Sequence, residues 1–150
     1  MAFNFRLETL LRIRKRMEEA AEMEFASLAL KRDRAEKALH REQSRLEEAR
    51  RDMEKHMERG ILSDEFQLKW LQISHLEQRC KELASELEKA ELDLMEGRSE
   101  LTRRHTDREL VENLKERDLK RYLQEVDRQL QKELDDLASL RHNRSKNRPA

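Results

Sequence analysis

Almost nothing in this chain can end a helix. Its 150 residues include two glycines, Gly60 and Gly97, and one proline, Pro149, next to the last residue. In a helix interior proline costs about 3 kcal/mol and glycine about 1 kcal/mol relative to alanine. A sequence that excludes both reads as one or two very long helices. Charged residues make up 44% of the chain, apolar ones 36% and aromatic ones 4%. That is too little apolar material for a compact core at this length, but enough for a narrow seam between helices. High charge with few aromatics also fits disorder. Against disorder, the net charge is zero and the apolar residues recur with a helical period.

From Ala21 the seam steps by four and three. It passes through Phe25, Leu28, Ala35, Leu39, Leu46, Ala49 and Met53, with Arg32, Glu42 and His56 at the remaining positions. This is the heptad pattern of a coiled coil. Before Ala21 the stripe of Leu7, Leu10 or Leu11, Ile13 and Met17 is irregular, which predicts a local change in supercoil. The run "ERGILSDEF" then supplies a corner. Gly60 suits the left-handed conformation that closes a helix, Ser63 and Asp64 suit N-caps, and Glu65 suits a first turn. A second seam follows through Phe66, Trp70 (or Lys69), Ile73, Leu76, Cys80 and Leu83, then Leu87, Ala90, Leu94, Gly97 and Leu101. It weakens at Arg104, Arg108 and Val111 and recovers at Leu119, Leu123, Val126, Leu130, Leu134 and Leu137.

The fold class these patterns predict is all-α, a long antiparallel two-helix coiled-coil hairpin with a longer second helix. It forms a single domain. Helix one spans about 4–59, the turn about 60–63, helix two about 64–141, and a flexible basic tail 142–150. Folding back at Gly60 or Ile61 makes facing residue numbers sum to about 122. Leu39 then faces Leu83, Leu28 faces Leu94 and Phe25 faces Gly97. A one-heptad slip moves the centre of the fold to Met57 or Asp64 and takes Gly60 out of the corner. At 1.5 Å per residue the helices measure about 80 and 115 Å, so the second outruns the first. The segment near Lys120 to Arg141 is left without an intramolecular partner, yet it carries its own apolar stripe, which predicts an external one.

No catalytic constellation is present. There is no glycine-rich phosphate loop, no paired-cysteine spacing and no His-Glu-x-x-His. The five histidines are His40, His56, His75, His105 and His142, and none lies three or four residues from another. We therefore expect no enzyme activity, no metal and no cofactor. Cys80 reads as a small seam residue of a reducing compartment. Apolar runs are too short for direct membrane insertion, and "MAFNFRLETLL" lacks the apolar core of a secretory signal. Two stretches are basic: "RIRKR" at Arg12 to Arg16, and Arg141, Arg144, Lys146 and Arg148 near the end. Both read first as solvated helix faces, and neutrality overall argues against a nucleic-acid partner.

Three stretches carry a resemblance to the FliJ family, coiled-coil stalk proteins of the bacterial flagellar type III export apparatus. The opening "FNFRLETLLRIRKRMEEAA" resembles the family's start. The corner "GILSDEFQLKWLQISHLE", Gly60 to Glu77, resembles its hairpin turn. "ELVENLKERDLKRYLQEVDRQLQKELDDLASLR", Glu109 to Arg141, resembles its C-terminal helix. The resemblance implies a non-catalytic protein similar to the stalk of rotary ATPases. Its paired termini would enter the hexameric flagellar export ATPase and stimulate it. Its other end would reach the membrane export gate protein, and it would handle export chaperones. It would be cytoplasmic and peripheral at the inner face of the cell membrane.

On that scheme Leu7, Leu10, Leu11, Ile13 and Met17, with Val126, Leu130, Leu134 and Leu137, are ATPase contacts, because the hairpin leaves them unpaired or weakly paired. Ile61, Leu62, Phe66, Trp70, Leu71 and Leu76 form an aromatic-rich gate contact. For Phe66, Trp70 and Leu76 the competing reading is that they only close the seam. The family's aromatic patch late in the first helix has no counterpart in Ala38 to Ala49. Three other readings compete: the equivalent stalk of a virulence injectisome, a parallel dimeric rod with one helix running through Gly60, and a nucleic-acid-binding helix led by "RIRKR".

Overall fold

The computed structural model describes residues 2–147. Two α-helices make up the fold, α1 over Glu8–Arg59 and the longer α2 over Ser63–Lys146, packed as an antiparallel hairpin. Among the described residues there is no strand.

The corner falls where the glycine is. Gly60 has φ +88°, a conformation that strains any other L-residue, and α1 stops at Arg59. One helix through Gly60, as the parallel rod requires, is thereby ruled out. The Phe66 amide donates to the Leu62 carbonyl at 3.0 Å. Leu62 is thus the flanking residue of α2, and Ser63 and Asp64 lie inside its first turn rather than capping it. Asp64 and Glu65 still complement the positive end of the helix dipole.

The other helix ends also differ from expectation. α1 begins at Glu8 rather than near Asn4, because the lead turns Phe5 inward and the Phe5 carbonyl accepts from the Glu8 amide at 3.2 Å. α2 continues past Arg141 to Lys146, with Arg144 and Lys146 in its last turn, where cations suit the dipole. Arg148, the last of the expected basic tail, lies outside the described residues.

The chain divides into two compact units. The first comprises Glu18–Arg104 and contains the corner. Its seam follows the heptads. Ala21, Leu46 and Met53 of α1 and Ile73, Leu83 and Ala90 of α2 are buried, with Ala49, Phe66, Leu76 and Cys80 packed around Leu46, Met53 and Ile73. At the ambiguous step the structure chooses Lys69, whose Nζ lies 2.5 Å from the Asp52 carboxylate. Gly97 fixes the register. A methyl group built on it would lie 2.6 Å from Leu28 Cδ1 and 3.9 Å from Phe25 Cδ2, so a small residue there admits two large ones. Ion pairs across the helices agree: Arg50 to Glu77 at 2.6 Å, Arg32 to Glu91 at 3.6 Å and Lys31 to Asp93 at 3.9 Å. Such exposed pairs are screened by solvent, so they report register more than they supply stability.

The second unit comprises Met1–Met17 and His105–Ala150. Its core is a small cluster of Phe5, Leu11 and Val111, with Phe3 and Leu10 against it. Across its helices Glu8 lies 2.7 Å from Lys115, Arg14 3.0 Å from Asp107 and Lys15 3.7 Å from Glu112. The irregular apolar stripe before Ala21 reflects polar side chains at covered positions. Burial keeps the heptad steps at Leu11, Arg14, Glu18 and Ala21, with polar side chains at the two middle positions. Glu18, of the corner-bearing unit, is only 8% exposed.

Candidate interaction surfaces

The terminal unit places the first group of candidates unevenly. Leu11 is 2% exposed, enclosed by Phe5 and Val111. It was expected on the weakly paired surface and is instead the best-buried side chain of its cluster, because the aromatic lead folds over it. Leu10 is half-buried on the same cluster, while Leu7, Ile13 and Met17 are exposed. Arg14 and Lys15 of the "RIRKR" run are tied to α2 carboxylates, so the run is not a uniform cationic face.

On α2 the stripe begins with cover and then loses it. Tyr122 meets the Phe3 ring at 5.6 Å between centroids, and Val126 is half-buried. The unpartnered segment therefore starts later than Lys120. Leu130, Leu134, Leu137 and Leu140 are all exposed, Leu130 by 53%. The surface there is open, with Tyr122, Val126 and Leu130 flanked by Glu125, Gln129 and Glu133. The sequence reading missed the lead aromatics Phe3 and Phe5 as core. The signal was available, since they alternate in "FNF" just ahead of the first heptad.

Near the corner the second group divides. Phe66 and Leu76 pack on the Leu46, Met53 and Ile73 cluster, as the seam-closing reading has it, and Ile61 is half-buried. Trp70 is 57% exposed and stacks on Phe66, centroids 6.4 Å apart and planes 13° from parallel. Leu62, Leu68 and Leu71 are exposed beside it in sequence. Trp70 is thus held on one face and open on the other, the disposition of an anchor side chain.

The hydrogen bond from Lys69 holds the Asp52 carboxyl below its ordinary range, that from Lys115 does the same for Glu8, and Arg103 with Arg104 does so for Glu100. All three are carboxylates stabilised in their charged form. Among the described residues no group of three or more His, Cys, Asp or Glu is placed to hold a metal ion. No helix of the described residues is long and apolar enough to cross a membrane.

The family model described as "Flagellar FliJ protein" matches residues 3–147. The chain belongs to the FliJ family. Membership places it among the type III export stalk proteins, in agreement with the three stretches singled out in its sequence. No curated protein matches it. A solved structure of a Chlamydia trachomatis protein, described as a YscO homologue, superposes with a TM-score of 0.70 at 22% identity and covers 99% of this chain and 100% of its own. At that identity the likeness shows a shared fold.

Proposed function

We propose that the chain is a non-catalytic coiled-coil stalk of flagellar type III protein export that binds and stimulates the hexameric export ATPase. Its other contact is the membrane export gate protein, and it takes part in handling export chaperones, working in the cytoplasm at the inner face of the cell membrane. The family match over residues 3–147 carries this reading. The structure supports it by leaving Leu130, Leu134 and Leu137 uncovered in the unit that also holds the lead with Phe3 and Phe5. These leucines, with Leu7, Leu10, Ile13, Met17 and Val126, form the proposed ATPase contact. Leu11 contributes by holding the lead in place rather than by touching a partner.

Trp70, Leu62 and Leu71 form the proposed gate contact, with Ile61 at its edge and Phe66 and Leu76 supporting it from the core. The test is catalytic stimulation. Sub-stoichiometric amounts of the chain should raise the turnover of a purified flagellar export ATPase, and absence of stimulation at saturation would remove the reading. The flagellar assignment over an injectisome rests on the family description and the "FNFRLETLL" start.

A further inference from the structure

On one edge of the uncovered stripe of α2 the side chains nearest the apolar row are acidic or neutral, with Arg121, Arg128 and Lys132 further round the helix. Asp118, Glu125, Gln129, Glu133 and Asp136 step by seven, four, four and three, so they run along one side of the row formed by Leu119, Val126, Leu130 and Leu137. Structure and spacing agree: Glu125, Gln129 and Glu133 border the surface floored by Tyr122, Val126 and Leu130, and no cationic side chain borders it. Arg128 reaches Glu125 at 4.0 Å but is itself 79% exposed, which makes a weak, screened pair. The opposite edge carries Glu116, Lys120, Asp127 and Gln131, a mixed set.

This pattern decides against one obvious occupant. A second copy packed antiparallel is related by a two-fold axis, so like edges meet and the acidic row faces itself. A second copy packed parallel sets that row against the mixed edge, which has no net positive charge to meet it. Like charges across a helix pair disfavour association. We infer that the segment Leu119–Leu137 docks a partner helix whose apolar side chains are flanked by lysine or arginine, and not a second copy of this chain. The inference deepens the proposed function and rests on its reading of this stripe as a contact surface.

The experiment uses the full chain and two synthetic amphipathic helices of about 20 residues, long enough to be helical when docked. They share one leucine stripe, flanked in one peptide by lysine and in the other by glutamate. Fluorescence anisotropy of the labelled peptides at low salt should show the lysine peptide binding at least about tenfold more tightly. Glu125→Lys with Glu133→Lys should invert that preference, and Leu130→Asp should weaken binding of the lysine peptide. Circular dichroism confirms that each variant keeps its helix. Equal binding of the two peptides, an unchanged preference in the double variant, or undiminished binding after Leu130→Asp would overturn the inference. A chain that shows the preference but fails to stimulate the ATPase would sink the proposed function and leave the docking chemistry standing.

Discussion

Gly97 offers the sharpest test of the hairpin, because two effects of known sign oppose each other there. Replacing glycine by alanine inside a helix stabilises by about 1 kcal/mol through backbone entropy. At Gly97 the added methyl would sit 2.6 Å from Leu28 Cδ1, closer than two carbons pack. Relieving that overlap requires the far end of the Leu28 side chain to move, and overpacking of this kind costs about 1–3 kcal/mol. Gly97→Ala should therefore range from neutral to destabilising by about 2 kcal/mol. With Leu28 shortened to alanine the obstacle is gone, and the same substitution should stabilise by about 1 kcal/mol. Urea denaturation of the four proteins, followed by circular dichroism, measures the coupling. It should exceed about 1 kcal/mol. If Gly97→Ala stabilises equally in both backgrounds, Leu28 and Gly97 do not meet and the register is wrong.

The other predictions follow from exposure and charge. Leu130→Asp should leave thermal unfolding unchanged, since the side chain is already exposed, while ATPase stimulation falls; retained stimulation would take this stretch out of the contact. Trp70→Ala should weaken binding to the export gate and spare ATPase stimulation, and loss of both would merge the two surfaces. Because folding holds the carboxyls of Asp52 and Glu8 below their ordinary range, their contribution is present above about pH 4 and is lost as pH falls through the lowered folded values. Asp52→Asn should accordingly flatten the acid limb of a stability-against-pH curve; an unaltered limb would show that the Lys69 contact contributes nothing. Hydrogen exchange should be fast beyond Val126, where side chains are exposed throughout, and slow around Leu46 and Ile73; uniform protection along α2 would mean that something in the chain covers its end.

The corner and the seam were legible because each depends on local chemistry. Gly60 marks a turn because Ser63, Asp64 and Glu65 follow it closely, and heptad spacing fixes which residues face inward. The choice of Lys69 over Trp70 was not legible. Both continue the pattern, and the ammonium wins because it reaches Asp52 across the helices while the indole stacks on Phe66. Arg14 and Glu18 misled for a related reason. An apolar-only reading skips polar seam positions, so a regular heptad looked irregular. Leu11 was misjudged because its cover comes from Phe5 in a non-helical lead, which no helical period describes.

The two surfaces differ in what the fold itself gains from them. Near the corner, Phe66 and Leu76 contribute to the Leu46, Met53 and Ile73 cluster, so the hairpin needs them whether or not anything binds. Nothing in the fold needs Leu130, Leu134, Leu137 and Leu140 in the same way. Their side chains meet water, and single helix-face pairs such as Arg128 with Glu125 contribute only about 0.2–0.5 kcal/mol to holding the segment helical. An uncovered helix of this length is marginal alone, and glutamate or lysine at those four positions would serve its helicity as well as leucine does. Leucines that are idle in the isolated chain, recurring at seam spacing beside an acidic edge, make physical sense when a partner's side chains bury them. The helix is then completed by binding, and part of the binding free energy goes into ordering it.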